Sequence, residues 1–134
     1  MGDLTPTPPS VKLGENMKKN SLEKCLSEFK GAEVSRPFGP EALVFKVIGK
    51  MFALVSQNEE IPRVTIKCTP ADGEILVSQF ESVVPGYYMN KRHWITISLT
   101  GELSDSMLIE LTGESYRLVI DKLTRADKQR LEQY

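Results

Sequence analysis

Ten consecutive residues, Pro85-Gly86-Tyr87-Tyr88-Met89-Asn90-Lys91-Arg92-His93-Trp94, join a turn signal, three aromatic rings, an amide and two adjacent cations without an acid. An arginine can chelate a phosphate through two parallel N–H groups, a lysine serves as a point charge, and an indole or phenol ring can stack on a base or sugar. Pro85-Gly86 predicts a turn that Gly86 enters at positive φ, and Trp94-Ile95-Thr96-Ile97-Ser98-Leu99 alternates as a half-buried strand does. A basic, aromatic loop is thereby held on a strand. His93 is the only histidine, so a two-histidine metal site is excluded, and no nucleophile stands near it to make a catalytic pair. The glycines are isolated turn formers rather than a phosphate-cradling loop, and Glu59-Glu60 lacks partners at magnesium or calcium spacing. These features point to binding, with no enzymatic activity, no cofactor and no metal.

The elements that position the loop follow from periodicity. Asn20-Ser21-Leu22-Glu23 matches a capping box, and Leu22, Cys25, Leu26 and Phe29 follow at helical spacing up to Gly31. From Val34 to Cys68 the period changes to two: Leu43, Phe45 and Val47 alternate with Val44, Lys46 and Ile48. Gly49-Lys50 reverses the chain into Met51–Val55, and a longer turn over Gln57–Pro62 leads to Arg63–Cys68. Thr69-Pro70 caps a short second helix, and Ser104-Asp105 opens a long one through Tyr116 and Leu123, with Thr124–Tyr134 adding a charged terminal turn or short helix. The expected order is helix, three or four strands, helix, strand, helix. This is an α+β fold, with an antiparallel sheet and helices packed on one face. Residues 1–14, rich in proline, are expected to form a flexible tail, 15–123 a single domain and 124–134 a charged extension.

With the apolar members of each strand turned toward the helices, Lys46, Arg63, Thr65, Lys67, Trp94, Thr96 and Ser98 fall on the opposite face. Cations with small hydroxyls suit phosphate oxygens, although lysine and threonine also populate any solvated antiparallel face. Asn90 can cap the loop's turn through its own backbone, with Lys91 and Arg92 only solubilising it.

Seventeen Lys and Arg against eighteen Asp and Glu give a net charge of −1, which argues against a general affinity for phosphate backbones. Distribution matters more: between Val83 and Gly101 the only charges are Lys91 and Arg92. No apolar run approaches the ~20 residues of a membrane span, and the first residues lack a basic leader followed by an apolar stretch. Pro6 spoils the myristoylation pattern that Gly2 would begin. Cys25 and Cys68 lack metal-site spacing and read as buried reduced thiols. A cytoplasmic protein without a membrane partner is expected.

Four ordered motifs, Arg36-Pro37-Phe38-Gly39-Pro40-Glu41-Ala42-Leu43-Val44-Phe45-Lys46-Val47, Lys50-Met51-Phe52-Ala53, Arg63-Val64-Thr65-Ile66-Lys67-Cys68 and the Pro85–Trp94 run, closely resemble the MmcQ/YjbR family. The resemblance extends from about Ser21 to Leu123 and includes Ser115-Tyr116-Arg117-Leu118-Val119. It implies a compact fold like that of bacterial frataxin (CyaY) and a DNA-binding role described through a "double wing" arrangement. Carried over residue by residue, it marks Pro37-Phe38-Gly39, Lys46, Arg63, Lys67 and Asn90-Lys91-Arg92-His93-Trp94 as a shared surface. The frataxin-like fold raises iron binding as a rival. Here Glu15, Glu23 and Glu28 are interleaved with Lys18, Lys19, Lys24 and Lys30, and those ammonium groups oppose a bound cation.

Three expectations follow. The first is DNA binding through Lys46, Arg63, Lys67, Tyr87 and Asn90–Trp94. The second is a module for a small anionic ligand or a protein, with Tyr87, Tyr88 and Trp94 lining a pocket and Arg63 or Arg92 holding the anion. The third is a structural role in which Trp94 is packed and Arg92 is paired to an acid of the last helix. A concave pocket favours the second and a broad positive surface the first.

Overall fold

The structure, a computed structural model, describes residues 10–57, 59–86, 90–99 and 102–134, with side chains from Lys18 onward. In chain order the elements are α1 (Ser10–Ser27), β1 (Ala32–Ser35), β2 (Ala42–Val47), β3 (Lys50–Ser56), β4 (Arg63–Lys67), α2 (Pro70–Gln79), β5 (Val83–Pro85), β6 (Trp94–Ser98), α3 (Asp105–Asp121) and α4 (Arg125–Glu132). The strands form one antiparallel sheet in the order β1-β2-β3-β4-β6-β5. The α+β architecture expected from periodicity is the one observed.

Helix starts are set by caps where caps exist. Thr69 accepts the Asp72 amide ahead of Pro70, and Ser104 accepts the Met107 amide, so α2 and α3 begin where their side-chain oxygens satisfy otherwise stranded N–H groups. Helix α1 departs from expectation: it runs from Ser10, so Asn20 lies inside it and residues 10–14 belong to a helix rather than a tail. No proline interrupts Val11–Lys19, and the Glu, Met and Lys there sustain a helix. Glu23, freed from a capping box, pairs instead with Lys19 at 3.0 Å and accepts from Gln57 Nε2 at 2.8 Å.

The β2–β3 reversal turns on Ile48 and Gly49, one residue earlier than expected. Their φ angles of 47° and 76° put both turn centres in the left-handed region that matches the strand twist. Further along, Phe45 faces Ala53 but Lys46 faces Met51, so Phe52 is an extra residue, a β-bulge in β3. The bulge buries Phe52 completely, and its ring meets Phe29 at 5.7 Å and Tyr116 at 5.2 Å, both edge-on. Phe29 stacks on Tyr116 at 4.7 Å, and the Tyr116 hydroxyl donates to the Lys30 carbonyl, fixing α3 to the end of α1.

The bulge also opens the β3–β4 ladder, and Ser115 fills the break. Its buried hydroxyl donates to the Phe52 carbonyl at 2.6 Å and accepts the Lys67 amide at 2.9 Å. A helix side chain thereby replaces a strand-to-strand hydrogen bond and holds Lys67 in place.

The charged extension is part of the domain. Thr124 caps α4, and Leu131 is buried in the core against Gly31. One strand was not expected, the three-residue β5, which closes the sheet edge at Pro85. The other edge, β1, exposes Glu33, Val34 and Ser35. Helix α3 packs over β3 and β4, α1 packs on α3 and β1, and α2 on β5; among the described residues no helix covers the second sheet face.

Candidate functional site

Strand register arranges the uncovered face in three rows. Ala42 pairs with Ser56, and Arg63 with Ser98, at one end. The Arg63 amide donates to Ser56 Oγ at 2.8 Å, which joins these pairs. The middle row runs Val44, Leu54, Thr65, Thr96 and Val84. At the far end Lys46 faces Met51, and Lys67 faces Trp94.

All the side chains assigned to this face by alternation lie there. Its character differs from expectation, because the middle row is buried and neutral: Val44 is 1% exposed, Leu54 9%, Thr65 5% and Thr96 4%. This neutral row lies between the two ends that carry the cations. The cations are consequently divided. Arg63 and Lys67 sit four residues apart on β4, a separation of about 13 Å. Arg63 is engaged with Glu59 through Nη2 and Nε, both 3.1 Å from Oε1. Arg63 therefore does not belong to the same patch as Lys67, and the cations of the basic, hydroxylated face expected from sequence are divided between its two ends.

The far end is where the remaining candidates gather. Lys67 Nζ lies 5.7 Å from the centre of the half-buried Trp94 ring, within cation–π range. The chain then enters a closed turn. His93 N donates to the Asn90 carbonyl at 3.1 Å, the Arg92 amide donates to Asn90 Oδ1 at 2.9 Å, and the His93 carbonyl accepts from the Cys68 amide at 2.8 Å. Asn90 and His93 thus build the turn, while Lys91 and Arg92 occupy its two centres with exposed side chains. Asn90 acts as the Asx cap anticipated above.

Arg92 forms no ion pair among the described residues, so the pairing with an α3 acid is not found. Lys46 sits in β2 of the same end, opposite Glu33 of β1, which offsets its charge. Tyr87 and Tyr88 lie outside the described residues.

Gly86 differs from its expected conformation. It has no positive φ; instead a Cβ there would meet Trp94 Cβ at 2.9 Å and Trp94 backbone atoms at 3.3 Å. Its amide donates to the Trp94 carbonyl at 2.8 Å, so the missing side chain is what lets the two chains close at the indole.

The two thiols are free. Burial, with Asp72 adding to it, pushes the Cys68 thiol up to about 11, and burial raises Cys25 as well. Among the described residues no three His, Cys, Asp or Glu side chains gather as metal ligands would, and no helix is long and apolar enough to cross a membrane.

An antiparallel sheet backed by helices on one face, with a basic aromatic corner on the other, defines a small α+β domain. The YjbR family model matches residues 27–118. The chain belongs to the YjbR family. It is 36% identical over 119 residues to the uncharacterized protein YbdF of Escherichia coli O157:H7, covering 86% of this chain and 98% of that one. It is 34% identical over 112 residues to the uncharacterized protein YjbR of Escherichia coli K12, covering 84% and 94%. Among solved structures, Deinococcus radiodurans protein DR2400 superposes with a TM-score of 0.78 at 34% identity, covering 84% of this chain and 86% of that one. A Pseudomonas syringae protein at 23% identity shares the fold with a TM-score of 0.65, over 74% and 96% of the two chains.

Sequence reading missed the role of Ser115, which it placed in the family motif and not as a bridge between backbone groups; a serine on the core-facing side of a helix is the available signal that a backbone group needs a partner. Phe38, assigned to the shared surface by the resemblance, is 70% exposed beside the open face.

Proposed function

We propose that this protein is a non-enzymatic, cytoplasmic DNA-binding domain that meets phosphates with Lys67, Lys91 and Arg92, assisted by Lys46, and places the accessible part of Trp94 against a base or sugar. The observation that carries this reading is the Asn90–His93 turn, which presents two adjacent exposed cations beside the Lys67–Trp94 pair. A turn closed by its own hydrogen bonds loses little freedom when it binds, so the cations act from a prepared geometry. The two free thiols accord with a reducing compartment.

Three phosphate contacts set the salt dependence. With a slope of about −0.9 per contact on duplex DNA, affinity falls about 40-fold between 50 and 200 mM salt. The emission of Trp94, the sole tryptophan, reports binding during titration with duplex and single-stranded oligonucleotides. Lys91→Ala/Arg92→Ala removes about two contacts and flattens the salt slope by about 1.8. Binding without salt dependence, or a double variant that behaves as the parent, refutes the reading. Binding of inorganic phosphate but not of either oligonucleotide replaces DNA with a small anionic ligand at the same corner.

A further inference from the structure

A cavity of about 580 Å³ lies over the middle row of the open face and extends from Ala42, Ser56 and Arg63 at one end to Met51 at the other. The DNA reading makes no use of it. Its walls are Phe38, Ala42, Met51 and Leu54, and its floor includes Thr65 and Thr96. Phe38 is held there by a turn in which the Gly39 amide donates to the Arg36 carbonyl at 3.1 Å, while Arg36 Nη1 donates to the Pro40 carbonyl at 3.3 Å. The chain keeps a largely exposed aromatic ring at the mouth of a mostly apolar hollow. A volume in this range suits a small organic molecule, for which binding pockets run from about 300 to 1,000 Å³.

The floor provides a polar handle. Thr65 Oγ1 and Thr96 Oγ1 lie 2.9 Å apart and are both more than nine-tenths buried. Two hydroxyls carry two protons, and one proton satisfies the bond between them. The other has no acceptor among the described residues, and a buried unmatched donor is costly unless a guest supplies one. The rim sets the charge of that guest. Glu41 and Glu59 face the cavity with Arg63, which already engages Glu59, so the lining carries one more negative than positive group.

We infer that this cavity binds a small neutral or singly cationic molecule with a flat apolar body and one hydrogen-bond acceptor. The flat body packs between Phe38 and Met51, and the acceptor takes the spare threonine proton. Any cationic group meets Glu41. A polyanion is repelled, which distinguishes this site from the basic corner, whose Lys67, Lys91, Arg92 and Trp94 do not line it.

Two fluorescent probes with the same aromatic body isolate the charge requirement: N-phenyl-1-naphthylamine is neutral, and its 8-sulfonate is anionic. The neutral probe binds the full chain saturably at one site, and the sulfonate binds at least about tenfold more weakly. Phe38→Ala weakens the neutral probe roughly tenfold through lost ring contact. Because Phe38 is exposed, that variant folds. Thr65→Val/Thr96→Val, close in shape and lacking both hydroxyls, probes the floor through binding of quinoline, whose ring nitrogen is an acceptor, followed by displacement of the naphthylamine; its affinity falls about fivefold. Glu41→Gln restores the sulfonate toward the neutral probe, and Lys91→Ala/Arg92→Ala leaves the neutral probe unchanged while removing any sulfonate held at the basic corner. Equal affinity for the two probes, undiminished binding in Phe38→Ala, or quinoline affinity unaltered by Thr65→Val/Thr96→Val overturns the inference. Binding that appears only after deletion of residues 1–9, or only on dissociation of a dimer, assigns the cavity to the chain itself and also overturns it.

Discussion

Replacing Ser115 with alanine strips one hydroxyl from the core and strands two backbone groups at once. The Phe52 carbonyl loses its donor at 2.6 Å and the Lys67 amide its acceptor at 2.9 Å. Neither can turn to the other, because the bulge that admits Phe52 has removed the direct ladder bond at that point. A buried polar group left without a partner costs about 1–3 kcal/mol, so stranding two makes Ser115→Ala cost about 2–6 kcal/mol in all. At about 3 °C per kcal/mol for a chain of this size, Tm falls by about 6–18 °C. Thermal and urea denaturation followed by far-ultraviolet dichroism measure this, and native-state hydrogen exchange locates it at the Lys67 amide. Thr112→Val is the control: its hydroxyl returns only to Ile109 of its own helix, 2.9 Å away, and its loss costs less than about 1 kcal/mol. If Ser115→Ala unfolds within about 0.5 kcal/mol of the parent, the bridging bonds contribute no stability and the reasoning fails.

Gly86→Ala places a methyl group 2.9 Å from Trp94 Cβ, so β5 and β6 must part there; stability drops by about 1–3 kcal/mol, and Trp94 emission shifts red in the folded state. Glu102 accepts the Ser82 amide at 2.8 Å and the Glu81 amide at 3.3 Å, and hydrogen bonding to Ser82 holds its carboxyl below the usual glutamate value of 4.5. A carboxyl lowered by folding stabilises the native state above its unfolded value, and that contribution disappears as pH falls through its folded one. Glu102→Gln therefore flattens the acid limb of a stability-against-pH curve below pH 4.5, and an unchanged limb refutes the assignment. The Cys68 thiol, raised to about 11, stays protonated at pH 8, so iodoacetamide labels it in the folded protein much more slowly than after denaturation, as mass spectrometry of the peptides will show.

What the residue order reveals depends on how local the signal is. Thr69-Pro70 and Ser104-Asp105 place α2 and α3 because a cap acts within one turn, and alternation assigns Lys46, Arg63, Lys67 and Trp94 to one face. The bulge was hidden, since Met51–Val55 is apolar throughout and an extra residue leaves no mark on such a run. Leu131 alone tethers α4 to the core, too little for a periodic pattern to declare. At the site, the Asn90 turn was legible because an asparagine bonding its neighbour's amide is a short-range event. The engagement of Arg63 was not: it arises from a loop that carries Glu59 back to Arg63.

The borders of the sheet constrain how copies of this protein can meet. On one side β5 stops after three residues at Pro85, whose nitrogen has no proton to offer, and on the other the short β1 holds the charge of Glu33. A visiting strand would find few amides to zip onto and a carboxylate in its path. Concentrated solutions are thus guarded against ribbon-like stacking, and any assembly this protein makes has to be stitched through side chains instead of backbone.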